Sequence, residues 1–491
     1  MDIKQAKKQI KNAIIAYNTR DEHGRLRIPV TKQRPVFLVG APGIGKTAIM
    51  EQIAQELDLA FVSYSMTHHT RQSALGLPFI VEKEYGGEEY NGSEYTVSEI
   101  IASVYDEMAR TGKKQGVLFL DEINCVSETL APSMLQFLQY KTFGRHRIPE
   151  GWIVVTAGNP PEYNDSVREF DIAMLDRLKK IEVEPDYDAW KEFAANSRIH
   201  PAVMSYLAIK PHHFYRITTT VDGKSFVTAR AWDDLSQMIQ LYEDNDLSVD
   251  NDLISQYIQD EQIARDYANY YSLYLKYRSD YQVMEILDGT ASKDIRERAH
   301  DAKFDERLSL ISLILSSLTD QISEVVDKRD ALTTIMPEVT GDKEHCLETV
   351  QLKLEEYRKK AMATDTADNI RLYLNMADMY AELENALKVN GDDYQVVKRI
   401  LQDKLTGLKK LDAKAQKTLE NVFVFFEEVF GQGQEMLILV SELTISKPIS
   451  RYIYMSGCPK YHQHNKQLLF DENHNALQER IDALNLPEFE N

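Results

Sequence analysis

The chain has 491 residues and a net charge of −20, with 43% hydrophobic and 27% charged residues. This length predicts several domains, since one domain takes about 100–200 residues, and the composition excludes a disordered chain. No run of about 18 apolar residues occurs, and Lys and Asn interrupt the apolar residues near the N-terminus. We therefore expect neither a membrane span nor a signal peptide. Three widely separated cysteines favour a reducing, cytoplasmic location.

The negative charge is unevenly distributed. Residues 1–240 hold 28 basic and 31 acidic side chains, whereas residues 241–491 hold 29 and 46. An acidic surface repels phosphate backbones, which argues against nucleic acid as a partner of the second half. Solubility alone would also explain the charge.

The N-terminal half alternates between helical and strand patterns. Strands are predicted over residues 35–39, 60–64, 117–120 and 152–156, and helices over 3–17, 48–57, 97–109 and 128–140. Short apolar strands separated by helices predict a parallel sheet with helices on both faces. We expect residues 71–94 to be an irregular excursion, with turns at Gly86–Gly87 and Asn91–Gly92.

The remainder of the chain is mostly helical in pattern. Residues 186–244 read as a smaller helical unit with a turn at 222–223, and residues 242–259 read as an acidic linker. Apolar residues at helical spacing over 304–325 and 372–387 predict a bundle core, or a seam for oligomerisation. Near the end, two apolar helical segments are broken at 431–433.

Residues 40–47, GAPGIGKT, carry the strongest motif, G-x-x-x-x-G-K-[ST]. Glycines let backbone N–H groups surround phosphate oxygens, and the following helix directs its positive end at them. Lys46 would reach the β- and γ-phosphates of ATP, and Thr47 would offer its hydroxyl to Mg²⁺. The nucleotide-binding residues predicted here are Gly40, Pro42, Gly43, Ile44, Gly45, Lys46, Thr47 and Ala48.

Residues 117–122, VLFLDE, form a second motif, in which a buried strand ends in two carboxylates. Asp121 is predicted to hold Mg²⁺ with Thr47. Glu122 is predicted to activate the attacking water as a general base. Apolar strands often end in acidic residues at turns, so this motif alone is weak evidence for a catalytic site. It is stronger evidence here because it follows the phosphate-binding motif at residues 40–47.

Five motifs, GAPGIGKT, LFLDEIN, VVTAGNP, MLDRL and TARAW, occur in the order typical of AAA+ ATPases. Over about residues 30–245 the chain resembles the MoxR-type, dynein-related branch of that superfamily. The resemblance implies an α/β P-loop ATPase core with a parallel sheet over 1–185 and a small helical lid over 186–245. An all-α C-terminal extension of unknown role would occupy 246–491.

The resemblance also implies roles for later polar residues. Asn159 matches the sensor at a strand end that contacts the attacking water or γ-phosphate, although it also suits a turn before Pro-Pro. Arg177 matches the arginine finger supplied by a neighbouring subunit, with Arg168 as a second candidate. A surface arginine paired with Asp176 is the alternative for Arg177. Arg230 resembles the lid arginine that reaches the γ-phosphate of its own subunit.

Two inserted segments fall where related machines touch their partners. Residues 139–151 resemble a hairpin before the Asn159 sensor and carry Lys141, Arg145, His146 and Arg147. The 71–94 excursion carries Glu82, Glu84, Glu88, Glu89 and Glu94. Solvated loop charge explains both sets equally well. His68 with His69, and Cys458 with His462 and His464, only weakly indicate a metal.

Together these features predict a Mg²⁺-dependent ATPase that acts as a homo-oligomer, in the form of a hexameric ring, and remodels a protein partner. By analogy with MoxR-type proteins, that partner carries a von Willebrand factor A-type domain. One alternative is an AAA+ motor directed at nucleic acid. Another is a nucleotide-gated scaffold with slow turnover, whose helical half recruits partners.

Overall fold

A computed structural model describes residues 1–67, 76–127, 129–143, 145–163, 167, 169–220, 223–340, 346–364 and 367–466. The chain divides into two compact units, Met1–Lys191 with Pro211–Ala264 and Glu192–Lys210 with Arg265–Asn491. Residues 186–245, predicted as one lid, are therefore shared between the units. The division into core, lid and extension stays a prediction.

The first unit is built on a five-stranded parallel sheet in the order β2-β5-β8-β1-β9. Strands along the chain are β1 (Val36–Gly40), β2 (Ala60–Ser65), β3 (Pro78–Tyr85), β4 (Glu88–Tyr95), β5 (Gly116–Asp121), β6 (Thr142–Phe143), β7 (His146–Arg147), β8 (Trp152–Gly158), β9 (Lys179–Val183), β10 (Arg216–Thr220) and β11 (Gly223–Val227). Helices up to residue 257 are α1 (Ile3–Tyr17), α2 (Lys46–Glu56), α3 (Glu99–Thr111), α4 (Ala131–Tyr140), α5 (Ile172–Leu175), α6 (Tyr187–Ala194), α7 (Pro201–Ile209), α8 (Ala229–Asp244) and α9 (Asn251–Tyr257).

The sheet forms because its strands are apolar on both faces, as parallel sheets covered by helices require. Along β5, Val117 and Phe119 pack with α1 and α2, whereas Leu118 and Leu120 pack with α3 and α4. The predicted α/β core with a parallel sheet is confirmed. The predicted elements lie within a few residues of the observed ones.

The prediction of an irregular excursion over 71–94 is wrong for residues 78–94, because strands Pro78–Tyr85 and Glu88–Tyr95 form the antiparallel hairpin β3–β4. Its turn is at Gly86–Gly87 as predicted, where both residues have positive φ. The second predicted turn is wrong, because Gly92 lies inside β4 opposite Val81. Strand alternation is masked here by glutamates, which are poor strand formers. His68 and His69 lie outside the described residues.

Residues 216–220 and 223–227 form another antiparallel pair, β10–β11, within the segment predicted as mostly helical. Its strands are rich in Thr and Ile, which favour extended backbone. The predicted turn at 222–223 falls partly outside the described residues. The predicted linker over 242–259 contains the short helix α9, whose N-cap Asp250 accepts from Leu253 N at 3.0 Å.

The second unit is helical throughout its described part. Its helices are α7, α10 (Glu261–Tyr281), α11 (Val283–Leu287), α12 (Lys293–Asp301), α13 (Phe304–Thr340), α14 (Cys346–Ala363), α15 (Ala367–Asn390), α16 (Tyr394–Val429), α17 (Gln434–Ile445) and α18 (Lys447–Ser456). The 304–325 stripe lies on α13, which packs against α7, α15, α16 and α18. The all-helical extension is thus confirmed for the described residues between 265 and 456, and the break near 431–433 separates α16 from α17.

Polar contacts join α7 to this bundle. Tyr270 Oη lies 2.7 Å from both Ser205 Oγ on α7 and Ser309 Oγ on α13. Lys210 Nζ donates to Asp266 Oδ2 at 2.8 Å. These contacts explain why α7 belongs with the second unit although it precedes residues of the first.

One described helix, 304–339, is long and apolar enough to cross a membrane. Within that helix, 56% of the most apolar window is buried inside the protein. The core helix of a folded bundle has the same properties, so the feature only weakly indicates a span.

The Cys458, His462 and His464 cluster shows no metal-like grouping. His464 Nε2 lies 3.0 Å from Glu427 Oε1, and its ring stacks on Phe423. Lys460 also donates to Glu427. Among the described residues, no three His, Cys, Asp or Glu side chains are grouped to hold a metal ion.

Candidate active site

The predicted site residues meet at the carboxyl edge of the parallel sheet. Strands β1, β2, β5 and β8 all end there, because parallel strands share one direction. In open α/β sheets this edge is where ligands bind. The loop after β1 therefore faces the ends of β5 and β8.

The 40–47 loop has the backbone that phosphate binding needs. Gly43 and Gly45 have φ of 74° and 89°, a region that side chains rarely adopt. At Gly40, an added Cβ would lie 2.7 Å from Val183 O. Among the residues that the structure describes, no side chain caps the start of α2 at Gly45, so its first N–H groups can bind an anion.

Lys46 is buried and holds the loop against β8. Its Nζ donates to Gly40 O, Ala41 O and Asn159 Oδ1, each at 2.9 Å. Burial lowers the pKa of Lys46 to about 8, and Arg230 also lowers it, whereas Asp121 and Glu122 oppose this change. An anion placed here would be bound by an ammonium already stripped of most water.

Thr47 and Asp121 place two oxygen ligands side by side. Thr47 Oγ1 donates to Asp121 Oδ2 at 3.1 Å. The other oxygen, Oδ1, accepts from Glu122 N at 2.9 Å, which fixes the carboxylate. Hydroxyl and carboxylate oxygens are ligands that Mg²⁺ prefers, so the pair fits this ion.

Glu122 adopts a left-handed backbone with φ of 55°. Such a conformation costs about 1 kcal/mol or more for a residue with a side chain, and it is typical of functional sites. Ser65 Oγ, at the end of β2, lies 3.4 Å from Glu122 Oε2. Sequence reasoning did not identify Ser65, because a serine at a strand end carries no distinguishing pattern.

Asn159 follows β8 and contacts both neighbouring loops. Its Oδ1 accepts from Lys46, and its main-chain O accepts from Asn124 Nδ2 at 2.7 Å. The structure thus places the predicted sensor beside the phosphate loop. Asn124 was not predicted as a site residue, although its position three residues after Asp121 was a usable signal.

The start of α8 lies against the phosphate loop. Arg230 N donates to Gly43 O at 3.2 Å, and Tyr215 Oη donates to Pro42 O at 3.0 Å. A Cβ on Gly43 would lie 2.9 Å from Thr228 Cβ. Arg230 is exposed and is near enough to Lys46 to influence its pKa. Arg230, the arginine predicted to act from the lid, is therefore next to the phosphate loop of its own chain.

Arg177 lies after α5 and is exposed. Asp176, the partner in the sequence alternative, has its Oδ1 3.7 Å from Arg34 NH2, and that alternative stays open. Arg168, the second finger candidate, lies outside the described residues. Ile44 is buried, and Pro42 and Ala48 are half-buried around the loop.

The hairpin residue Lys141 is buried, which corrects its grouping with projecting loop charges. It is 2% exposed and ends α4, where its Nζ donates to Gln33 Oε1 at 2.9 Å and Trp152 O at 2.8 Å. Burial lowers the pKa of Lys141 to about 8. Sequence reasoning failed because a polar side chain at a helix end is normally exposed.

Comparison with known families agrees with this geometry. Residues 35–178 match the family described as AAA domain (dynein-related subfamily). This segment is an AAA domain of the dynein-related subfamily. The AAA domain binds and hydrolyses ATP, so the chain is an ATPase. No curated protein matches the chain significantly.

The matched segment includes most of the site. It spans the phosphate loop, Asp121, Glu122, Asn159 and Arg177, and it ends before Arg230. The resemblance predicted from the motifs is thus confirmed for the AAA domain. The individual roles of these residues stay predictions.

Proposed function

We propose that the chain is a MoxR-type, Mg²⁺-dependent ATPase that works as a hexameric ring and remodels a protein partner in the cytoplasm. The catalytic part of this proposal rests on one observation, the meeting of five polar residues at the carboxyl edge of the sheet. These residues are Lys46, Thr47, Asp121, Glu122 and Asn159. ATP binding and hydrolysis follow from the AAA domain. The ring, the partner and the location are the proposed parts.

In this proposal Thr47 and Asp121 hold Mg²⁺, which supplies positive charge to the β- and γ-phosphates when bound. Lys46 and the N–H groups at the start of α2 bind the phosphate oxygens. Glu122 accepts the proton of the attacking water. Asn159 orients that water or the γ-phosphate through its side-chain amide, whose oxygen accepts from Lys46 in the structure.

Arg177 and Arg230 have separate roles in the proposed ring. Arg230 adjoins the phosphate loop of its own chain through the Gly43 contact. Arg177 is exposed, as a finger that completes a neighbour's site must be. Completion of each site by the next subunit makes hydrolysis depend on the homo-oligomer.

The proposed partner surface joins the two inserted hairpins. Arg145 NH1 on the β6–β7 hairpin lies 2.5 Å from Glu94 Oε1 on β4. His146 Nε2 lies 3.2 Å from Tyr95 O. Ile80 on β3 is 77% exposed. A joined surface with exposed apolar and acidic groups suits a protein, with a von Willebrand factor A-type domain as the proposed example, better than nucleic acid.

Two measurements test this function. With ATP, Glu122→Gln should assemble into six-subunit particles by analytical ultracentrifugation, and a monomer at all concentrations contradicts the ring. Glu122→Gln should also retain a protein partner that the added Ile80→Asp change releases. Ile15→Asp, at an exposed isoleucine on α1, is the matched control and should leave retention unchanged.

The competing functions give different results. A nucleic-acid motor would bind DNA tightly with steep salt dependence and hydrolyse ATP faster in its presence. A nucleotide-gated scaffold would retain its partners in an ATP-dependent way, but it would hydrolyse ATP slowly and leave the partner unchanged. Either result would replace the remodelling proposal.

A further inference from the structure

Asn124 joins the two loops that carry the proposed general base and sensor. It lies in the short turn Ile123–Cys125, directly after Glu122. Its Nδ2 donates to the main-chain O of Asn159 at 2.7 Å. Only 6% of Asn124 is exposed.

The end of β8 is shaped around this amide. A Cβ added to Gly158 would lie 2.3 Å from Asn124 Oδ1. Gly158 has no positive φ, so the space taken by Asn124, and not the backbone conformation, requires glycine there. Any side chain at residue 158 would displace Asn124 or the Asn159 loop.

The amide oxygen of Asn124 is buried with no hydrogen-bond partner in the described structure. A buried polar atom left unpaired reduces stability. A methyl-bearing side chain would fill the same space without this penalty. The amide is therefore better explained by the one bond its nitrogen makes than by packing.

A second hydrogen bond links Asn159 to the phosphate loop. Asn124 holds Asn159, whose Oδ1 accepts from Lys46 at 2.9 Å. Glu122 precedes Asn124 by two residues in a strained turn. A displacement of about 1 Å between reacting groups can cost about 100-fold in rate, so this link bears on turnover.

We propose that Asn124 is a positioning residue for ATP hydrolysis, which sets the distance between Glu122 and Asn159 by bridging their loops. The proposal rests on the roles proposed above for those two residues. Asn124 itself contacts neither water nor nucleotide in this account. Its loss should lower turnover and leave ATP binding intact.

The test compares Asn124→Ala, Gly158→Ala and the double variant in the full-length protein. Asn124→Ala should lower kcat about 10- to 100-fold, as expected when a supporting contact is lost. The KM for ATP should change less than about threefold, because Lys46 and α2 remain. Asn124→Asp keeps the side-chain volume but loses the amide donor, so it should also lower kcat with little change in KM. It replaces Asn124→Ala in the test if the alanine variant folds poorly.

The double variant separates positioning from packing. The methyl group that Gly158→Ala introduces would occupy the space that Asn124→Ala vacates, so the double variant should recover the thermal stability lost by Gly158→Ala alone. Its kcat should stay low, because no donor reaches Asn159 O. Recovery of both stability and kcat would overturn the proposal.

Asn421 provides a matched control. Its Nδ2 donates to Leu287 O at 2.9 Å, and a Cβ on Gly289 would lie 2.8 Å from its amide. Asn421→Ala should change thermal stability and leave kcat unchanged. Equal kcat losses in the Asn124 and Asn421 variants, or wild-type kcat in Asn124→Ala, would contradict the proposal. Wild-type kcat in Glu122→Gln would instead reject the site assignment itself.

Discussion

Lys46 Nζ donates to Asn159 Oδ1 at 2.9 Å, which links the phosphate loop directly to the loop after β8. The same ammonium donates to two carbonyl oxygens of its own loop, Gly40 O and Ala41 O. Phosphate oxygens must therefore compete with three acceptors for Lys46. A phosphate oxygen that replaces Asn159 Oδ1 as an acceptor of Lys46 also releases Asn159 from this contact. ATP binding and the position of Asn159 are therefore coupled.

ATP affinity should fall above pH 8. Burial lowers the pKa of Lys46 to about 8 in the free protein, whereas bound phosphate would raise it again. Binding then takes up a proton above pH 8, so the Kd for ATP should rise by up to about tenfold per pH unit. Titration with a fluorescent ATP analogue from pH 7 to 9.5 measures this.

The control is Lys46→Arg, whose guanidinium stays protonated over this range. Its affinity should be weaker at pH 7 but nearly constant to pH 9.5. A wild-type Kd that does not change with pH would contradict the assigned contact between Lys46 and phosphate.

Lys141 should give a pH-dependent stability that is separate from ATP binding. Its pKa is about 8 when folded and 10.5 when unfolded, so the unfolded chain binds more protons between these values. Below pH 8 the buried Lys141 is charged, which lowers the free energy of unfolding. This cost falls as the pH rises and Lys141 loses its proton. Relative to Lys141→Met, the wild type should gain about 1–2 kcal/mol from pH 8 to 9.5.

Denaturant unfolding of both proteins at the two pH values measures this difference. Lys141→Gly is a second comparison, since residue 141 has φ of 53°, which glycine adopts readily. A stability difference that stays constant with pH would contradict a charged, buried Lys141.

Ser65 should affect turnover through Glu122. Its hydroxyl lies 3.4 Å from the carboxylate, a weak contact, so Ser65→Ala should lower kcat only about two- to tenfold. KM for ATP should not change. Ser63→Ala, at an exposed position of the same strand, is the control, and equal kcat in both variants would refute this role.

Arg177 should act on a neighbouring subunit. Arg177→Ala should lower kcat about 1000-fold, as expected for a lost arginine finger. Equal mixing of the Arg177→Ala and Glu122→Gln proteins should restore activity at roughly a quarter of the interfaces of random rings. At those interfaces one subunit supplies Glu122 and its neighbour supplies Arg177. Absence of recovery in mixed rings of verified composition would contradict action between subunits.

The sequence predicted the AAA domain well because its motifs and strands are local. The spacing of the glycines in GAPGIGKT predicts the phosphate-binding loop, and residues 117–120 are apolar enough to predict a buried strand. Both depend on residues close together in the chain. The matched segment and the observed sheet agree with these predictions.

Contacts between distant segments were not predictable in the same way. The bond from Asn124 to Asn159 joins residues 35 positions apart, and Lys141 reaches Gln33 across 108. Hairpin β3–β4 was missed because surface glutamates hide its alternation, and α7 joins the second unit through Tyr270. Tertiary packing, and not local preference, decides each of these.

The most direct test of the account is steady-state ATP hydrolysis by Glu122→Gln, measured together with ATP affinity. Glutamine keeps the size of the side chain but cannot accept the proton of water. We expect a kcat lowered by about 100-fold or more, with a Kd for ATP close to that of the wild type. Unchanged hydrolysis by this variant would contradict the proposed active site.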